Sequence, residues 1–217
     1  MIEIRNLTRR YPGQINLLEN LSLSLEPGSW LMLKGSRNAG KTTLLRLLAG
    51  LDQPTSGTLT WYGEALQRRA VPTRLRQRTG LLFDPPMFLE PRSLHDNLSL
   101  PLEIQGMAQK DIDSRVSNAL QRVGLAGQER QSAISLGCED RQRLNLARAI
   151  VGRPTLLLVD EVWRNGCNAL IPLLQNILET FHASGVTVVV AHTPGQPGLI
   201  PRGREFLLPE PLRERTP

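Results

Sequence analysis

Gly35-Ser36-Arg37-Asn38-Ala39-Gly40-Lys41-Thr42 stands between a short apolar run, Trp30 to Leu33, and a leucine-rich stretch, Thr42 to Ala49, closed by Gly50. The eight residues fit G-x-x-x-x-G-K-[ST], and each fixed position has a chemical reason. The glycines let backbone N–H groups turn toward phosphate oxygens, and the helix that follows presents its positive end to them. Lys41 reaches the β- and γ-phosphates, and Thr42 offers a hydroxyl to Mg²⁺. A strand before the loop and a helix after it are the setting the motif needs, so the stretch predicts binding of ATP or GTP. Thr43 completes the candidate nucleotide-binding set.

Further along, Leu156-Leu157-Leu158-Val159-Asp160-Glu161 is an apolar strand ending in two carboxylates. Alone, such a pair reads as a solvated strand end. Beside a phosphate loop, Asp160 is a candidate to hold Mg²⁺, directly or through water, and Glu161 to orient or deprotonate the attacking water. His192 ends the next apolar run, Val186 to Ala191. It is an ordinary polar strand cap or, with nucleotide at the C-terminal edge of a sheet, a contact to the γ-phosphate or attacking water.

The remaining sequence supplies the frame. Ile2 to Asn6 and Leu21 to Leu25 alternate apolar and polar residues and predict half-buried strands, with Pro27-Gly28 as a break. Thr58 to Tyr62 and Leu81 to Phe83 predict short strands. Pro85 to Gly106 is broken by prolines and reads as irregular. Ile112, Val116, Ala119, Leu120 and Val123 recur at helical spacing, and Asp140 to Val151 and about Asn168 to Ala183 read as further helices. Strands alternating with helices predict an α/β parallel sheet, carrying a helical insert over about 85–152. From Pro194 the chain holds six prolines in 24 residues, a Pro-rich tail over 194–217 with Glu205 to Leu208 as an edge strand. No internal repeat is present.

At 217 residues and 40% apolar composition, the chain is sized for one domain with a substantial core. Its net charge is +6, carried by 23 arginines and only three lysines, Lys34, Lys41 and Lys110. That balance suits nucleic acid, an anionic membrane face or a nucleotide without choosing among them. Two cysteines, Cys138 and Cys167, make neither a disulfide framework nor a CxxC zinc pair, and a reducing compartment is expected. No apolar run approaches the length that spans a bilayer, and MIEIRNLTRRYPG carries no signal-peptide core. The expected location is cytoplasmic, with any membrane role reached through a partner.

These motifs, in this order, resemble the ATP-binding cassette (ABC) ATPases over about residues 1 to 192. The likeness is to the bacterial FtsE/LolD type, carried by LLRLLAGLDQPTSGTLTWYGE at 44–64, SLHDNLSLPLEIQG at 93–106 and ALQRVGL at 119–125. The resemblance implies a single nucleotide-binding domain: a P-loop NTPase (RecA-like) parallel-sheet core, an antiparallel N-terminal β subdomain and an inserted α-helical subdomain. It implies ATP and Mg²⁺ as ligands, with Tyr11 stacked on adenine and Glu161, His192 and Lys41 catalytic. Thr42 and Asp160 would hold the metal. It also implies two kinds of partner: an integral permease-like subunit of FtsX/LolCE type, and a second cassette in a homodimer or heterodimer. The chain would then sit peripherally on the inner face of the cell membrane.

The departures from the family pattern are as informative. Where the family carries a glutamine that senses Mg²⁺ and the membrane partner, this chain has Asp84, a further metal candidate. The family signature L-S-G-G-[EQ]-[QR]-Q-R, anchored on Ala147-Arg148-Ala149-Ile150, falls on Leu136-Gly137-Cys138-Glu139-Asp140-Arg141-Gln142-Arg143. Its Ser-Gly-Gly centre has become Gly-Cys-Glu; a one-residue insertion aligns Ser135 and Gly137 instead and still leaves the motif damaged. After Glu161 the usual Pro-Thr-x-x-Leu-Asp is replaced by Val162-Trp163-Arg164-Asn165-Gly166-Cys167. In the family two cassettes sandwich two ATP molecules, each signature capping the γ-phosphate held by the other subunit. A carboxylate at Glu139 facing phosphate at about 5 Å would repel it by about 3 kcal/mol per charge pair at an effective dielectric of 20.

An asymmetric expectation follows: a complete donor half-site in this chain, and a poor acceptor half-site. Three functions compete. The first is the ATPase subunit of a membrane ABC complex. The second is a catalytically impaired subunit in the same kind of complex, using ATP binding for structural or regulatory ends. The third is a DNA-associated ABC ATPase or another P-loop enzyme, with arginines 68, 69, 74, 76 and 78 as a basic run that could touch phosphates. Those arginines read more simply as a solvated face, no long coiled-coil insert is present, and no nucleic acid is expected.

Overall fold

The structure, a computed structural model, describes residues 1–11, 16–66, 73–161, 168–195, 198–200 and 202–209. Ile2–Arg10 (β1) and Asn16–Leu25 (β2) pair antiparallel, joined further on by Ser56–Trp61 (β4) and Glu64–Ala65 (β5) in the order β2-β1-β4-β5. Between β2 and β4 come Trp30–Lys34 (β3) and the helix Lys41–Leu48 (α1). The short helix Thr73–Arg78 (α2) leads into Thr79–Leu82 (β6). Three helices follow, Leu94–Ile104 (α3), Gln109–Arg122 (α4) and Cys138–Val151 (α5). The chain then returns through Leu156–Asp160 (β7), Ile171–Ala183 (α6), Thr187–His192 (β8) and Arg204–Leu207 (β9). The second sheet runs β6-β7-β8-β3-β9, and every neighbouring pair in it is parallel.

The parallel sheet is covered on both faces, which is why β7 and β8 are apolar without alternation. Met32, Leu157, Val159, Val188 and Val190 face one cluster with α3, α4, α5 and α6; Leu31, Leu33, Leu156, Leu158 and Val189 face the other, with α1 and the antiparallel sheet. Gly80 on β6 lies so close to α5 that a Cβ there would collide with the Ala149 carbonyl oxygen. The helices of 94–151 therefore share a core with the sheet edge they lean on.

Two segments differ from the sequence expectation. Pro85 to Gly106, read as irregular, contains α3 despite Pro101 within it. Ser93 and Asp96 form a reciprocal capping box, and Leu94, Leu98 and Leu102 stack on one fully buried face. That burial outweighs the one backbone bond that proline removes. Arg74, Arg76 and Arg78 lie on α2, a helix with Leu75 as its single buried residue; Arg68 and Arg69 fall outside the described residues. So do Val162 to Cys167 and, within the Pro-rich tail, residues 196–197, 201 and 210–217. β9 occupies the edge position expected of Glu205 to Leu208.

Candidate functional site

Strand order builds the site. β7, β8 and β3 are adjacent and parallel, so their C-terminal ends emerge side by side. Ligands of open α/β sheets bind at that edge. Asp160 and Glu161 come off β7, His192 and Thr193 off β8, and the Gly35–Gly40 loop off β3. Asp84 lies two residues beyond β6, the next strand over.

The loop turns tightly back on its strand. Gly35 N–H donates to the His192 carbonyl (3.3 Å) and Ala39 N–H to the Ser36 carbonyl (3.2 Å). Arg37 and Asn38 sit on the exposed turn, with Asn38 left-handed at φ 68°. Gly40 caps α1 at φ 88°, and a Cβ there would lie 2.7 Å from Leu18 Cδ2. Only glycine meets both demands. At the other end of the loop a Cβ on Gly35 would press on Ala39 and on Leu208, whose N–H donates to the Lys34 carbonyl at 2.8 Å. The segment after β9 thus walls the loop.

Lys41 is buried inside the loop. Its ammonium donates to the carbonyls of Gly35 (3.0 Å) and Ser36 (2.8 Å) and lies 3.8 Å from Glu161 Oε1. Thr42 faces solvent and its hydroxyl donates to Asp160 Oδ2 at 2.7 Å, across 118 residues of sequence. Thr43, next on α1, is buried. A hydroxyl and a carboxylate oxygen in contact are the hard-oxygen pair that suits Mg²⁺, an ion that takes its remaining ligands from water and substrate phosphates. Among the described residues no cluster of three or more His, Cys, Asp or Glu could hold a metal.

Glu161 is 2% exposed and adopts a left-handed backbone, φ 45°. That conformation costs a non-glycine residue about 1–2 kcal/mol, and strain of this kind concentrates where geometry serves chemistry. Its Oε1 accepts from the Thr193 hydroxyl at 2.6 Å. His192 is half-buried, with Nδ1 enclosed and without a hydrogen-bond partner among the described residues. Burial pushes its pKa below imidazole's ordinary 6.5; the Glu161 carboxylate opposes that shift, and Lys34 and Lys41 reinforce it.

Loop, Lys41, Thr42, Asp160, Glu161 and His192 therefore stand together. Tyr11 and Asp84 are held differently. The Tyr11 hydroxyl donates to Asp52 Oδ2 (2.7 Å), and Arg9, itself paired with Asp52, lies over the ring at 4.3 Å from its centroid. Asp84 Oδ1 accepts from Gln142 of α5 at 2.9 Å, beside a bond from Asn145 to the Phe83 carbonyl. Thr193 and Asn145 do not enter the sequence reading, and Gln142 enters it only as a position of the altered signature, with no role toward Asp84. Thr193 had only its place after His192 to mark it. Gln142 and Asn145 are polar residues at the buried face of α5, at 5% and 0% exposure, a signal visible once α5 is known to be covered.

At the start of α5, Glu139 and Asp140 both approach Arg143, at 2.7 and 3.7 Å, which turns the Glu139 carboxylate back along its own helix. Cys138 is exposed at the first position.

The family model for ABC transporters matches residues 18–164. The cell division ATP-binding protein FtsE of Escherichia coli K12 is 36% identical over 194 residues, spanning 88% of this chain and 87% of that protein. FtsE of Haemophilus influenzae is 34% identical over 88% of this chain and 89% of its own length. A dimeric ATP-binding cassette, MJ0796, in a post-hydrolysis state bound to ADP and Pi, superposes with a TM-score of 0.74 at 23% identity over 88% of this chain and 87% of that one.

Proposed function

Because this chain belongs to the ABC transporter family, as an FtsE-like ATP-binding subunit, we propose that it hydrolyses ATP at the cluster around Lys41 and drives or gates a separate permease-like membrane protein of the FtsX/LolCE type. The observation that carries this reading is the convergence of Lys41, Thr42, Asp160 and Glu161 at one sheet edge. Lys41 would leave its two loop carbonyls for the β- and γ-phosphates, and backbone N–H groups of the loop would take the phosphate oxygens. Thr42 and Asp160 would hold Mg²⁺, which supplies charge neutralisation on the phosphates when bound. Glu161, fixed by Thr193, accepts the proton of the attacking water, and His192 stands where it can contact that water or the γ-phosphate. Tyr11, held by Asp52, is the adenine-stacking candidate, on the ring face that Arg9 leaves. Asp84 is read as a link between the site and α5 more than as a ligand, since its carboxylate is already engaged by Gln142.

The membrane partner and a second cassette complete the assembly. No helix among the described residues is long and apolar enough to cross a membrane, so the coupled channel or permease is assigned to another chain. This supports a peripheral position on the inner membrane face. The sharing of one core by α3–α5 and the sheet supports a single nucleotide-binding unit in which the helical subdomain spans about 85–152.

The second reading, a subunit impaired in hydrolysis, is favoured by one feature, the Gly-Cys-Glu centre at the start of α5. Turning Glu139 toward Arg143 relieves repulsion but restores neither the lost serine hydroxyl nor the lost glycine approach. One experiment separates the readings: MgATP binding by calorimetry and phosphate release, with Lys41→Ala and Glu161→Gln, alone and with the co-purified membrane complex. The first reading expects Lys41→Ala to abolish binding and Glu161→Gln to keep binding while abolishing release by the complex. Unchanged release with Glu161→Gln selects the second; no binding by the unaltered chain overturns both.

A further inference from the structure

On the edge of the parallel sheet opposite the phosphate loop, where β7 and β8 begin, the ends of α5 and α6 and one face of α4 line a solvent-open cleft of about 620 Å³. That volume lies within the usual range of small-molecule sites, roughly 300–1,000 Å³. Its wall carries three arginines, Arg115, Arg122 and Arg153, and no aspartate or glutamate. None of the three guanidinium groups makes a hydrogen bond or ion pair with a described residue, whereas Arg9, Arg141 and Arg143 each have a carboxylate partner. Apolar side chains, among them Ile150, Phe181 and Val186, line the same space.

Two details argue that the arginines are placed for a ligand. Arg115, Asn118 and Arg122 fall at i, i+3 and i+7 on α4, so they share one helix face, with the small Ala119 beside them opening room. Arg153 sits left-handed at φ 50° directly after Gly152, which is itself right-handed at φ −74°. The left-handed slot after a helix ordinarily falls to glycine; here the glycine precedes it and an arginine occupies it under strain. Helix C-termini favour cations, which accounts in part for Arg122 and Arg153. Arg115, two turns back in α4, has no such reason.

We infer that this cleft binds a small organic anion, a phosphate or carboxylate carried on an apolar body, at a site separate from the nucleotide. The guanidiniums take the anionic group in forked, charge-assisted hydrogen bonds, and the apolar wall takes the body. The proposal does not depend on ATP hydrolysis.

Its test uses 1-naphthyl phosphate and 1-naphthoate as probes in calorimetric titrations of the full chain, with Arg115→Gln, Arg153→Gly and Lys41→Ala variants and Arg46→Gln as an exposed control outside the cleft. Saturable binding of either probe at one per chain is expected, and the preferred probe identifies the anion. Affinity should fall about tenfold or more in each cleft variant, the loss expected for a charged hydrogen bond, and hold in Lys41→Ala and Arg46→Gln. Glycine relieves the backbone at 153, so the Arg153→Gly protein should melt no lower than the unaltered chain, and its weaker binding then reports the lost contact. Absence of saturable binding, binding that follows Lys41 or Arg46 in place of the cleft arginines, or retention of duplex DNA that depends on those arginines would overturn the inference.

Discussion

A buried ammonium is stable only where its partners replace water, and Lys41 meets that condition with two carbonyls and a nearby carboxylate. The same groups define what single changes should do. Thr193 fixes Glu161 through one short hydrogen bond, so Thr193→Val should lower kcat about tenfold with little change in KM for ATP, a modest part of the 10²–10⁴ that general-base catalysis supplies. Thr193→Ser should restore most of the rate, and steady-state phosphate release compares the three. His192 gives a pH prediction. Its folded pKa lies below 6.5 because burial disfavours the imidazolium, so the unfolded chain binds the proton more readily. Stability from this group is full above about pH 6.5, the unfolded value, and is lost as pH falls from there through the folded pKa. Denaturant melts between pH 8 and pH 5 should show that decline, and His192→Asn should flatten it.

At the scale of elements, packing decides what propensity leaves open. Leu98 is fully buried at the centre of α3, so Leu98→Ala should cost about 2–5 kcal/mol in chemical denaturation. Ser93→Ala, which removes the cap, should cost about 0.5–2 kcal/mol. These elements also show what sequence makes legible. β3, β7 and β8 are readable because strands covered on both faces are apolar throughout, and the phosphate loop is readable because its chemistry admits few residues. α3 was hidden by Pro101, although Ser93…Asp96 and the leucines at 94, 98 and 102 carried its signal. α2 was hidden because six residues with one apolar side chain have no period to detect. Lys41, Thr42, Asp160, Glu161 and His192 are legible because a phosphate-loop motif gives meaning to the polar residues that end two apolar strands. Thr193, Gln142 and Asn145 are not, since their roles arise from neighbours supplied by other strands and helices.

For the whole molecule, the contrast between an assembled phosphate site and an altered α5 start predicts dependence on a second cassette. Gly137→Ser with Cys138→Gly and Glu139→Gly should raise phosphate release by the isolated chain about tenfold or more, as expected when γ-phosphate donors are restored. Sedimentation with MgATP should show the added self-association. An unaltered chain that already turns over at the rate of the restored variant would remove the need for a partner. β9 is an edge strand of four residues, yet Leu208 just beyond it lies so near the mouth of the loop that a Cβ on Gly35 would come within 3.3 Å of it. Proteolytic clipping or a fusion that peels away β9 would therefore slacken the grip on nucleotide from behind, and ATP affinity would register damage to a strand that supplies none of the proposed ligands.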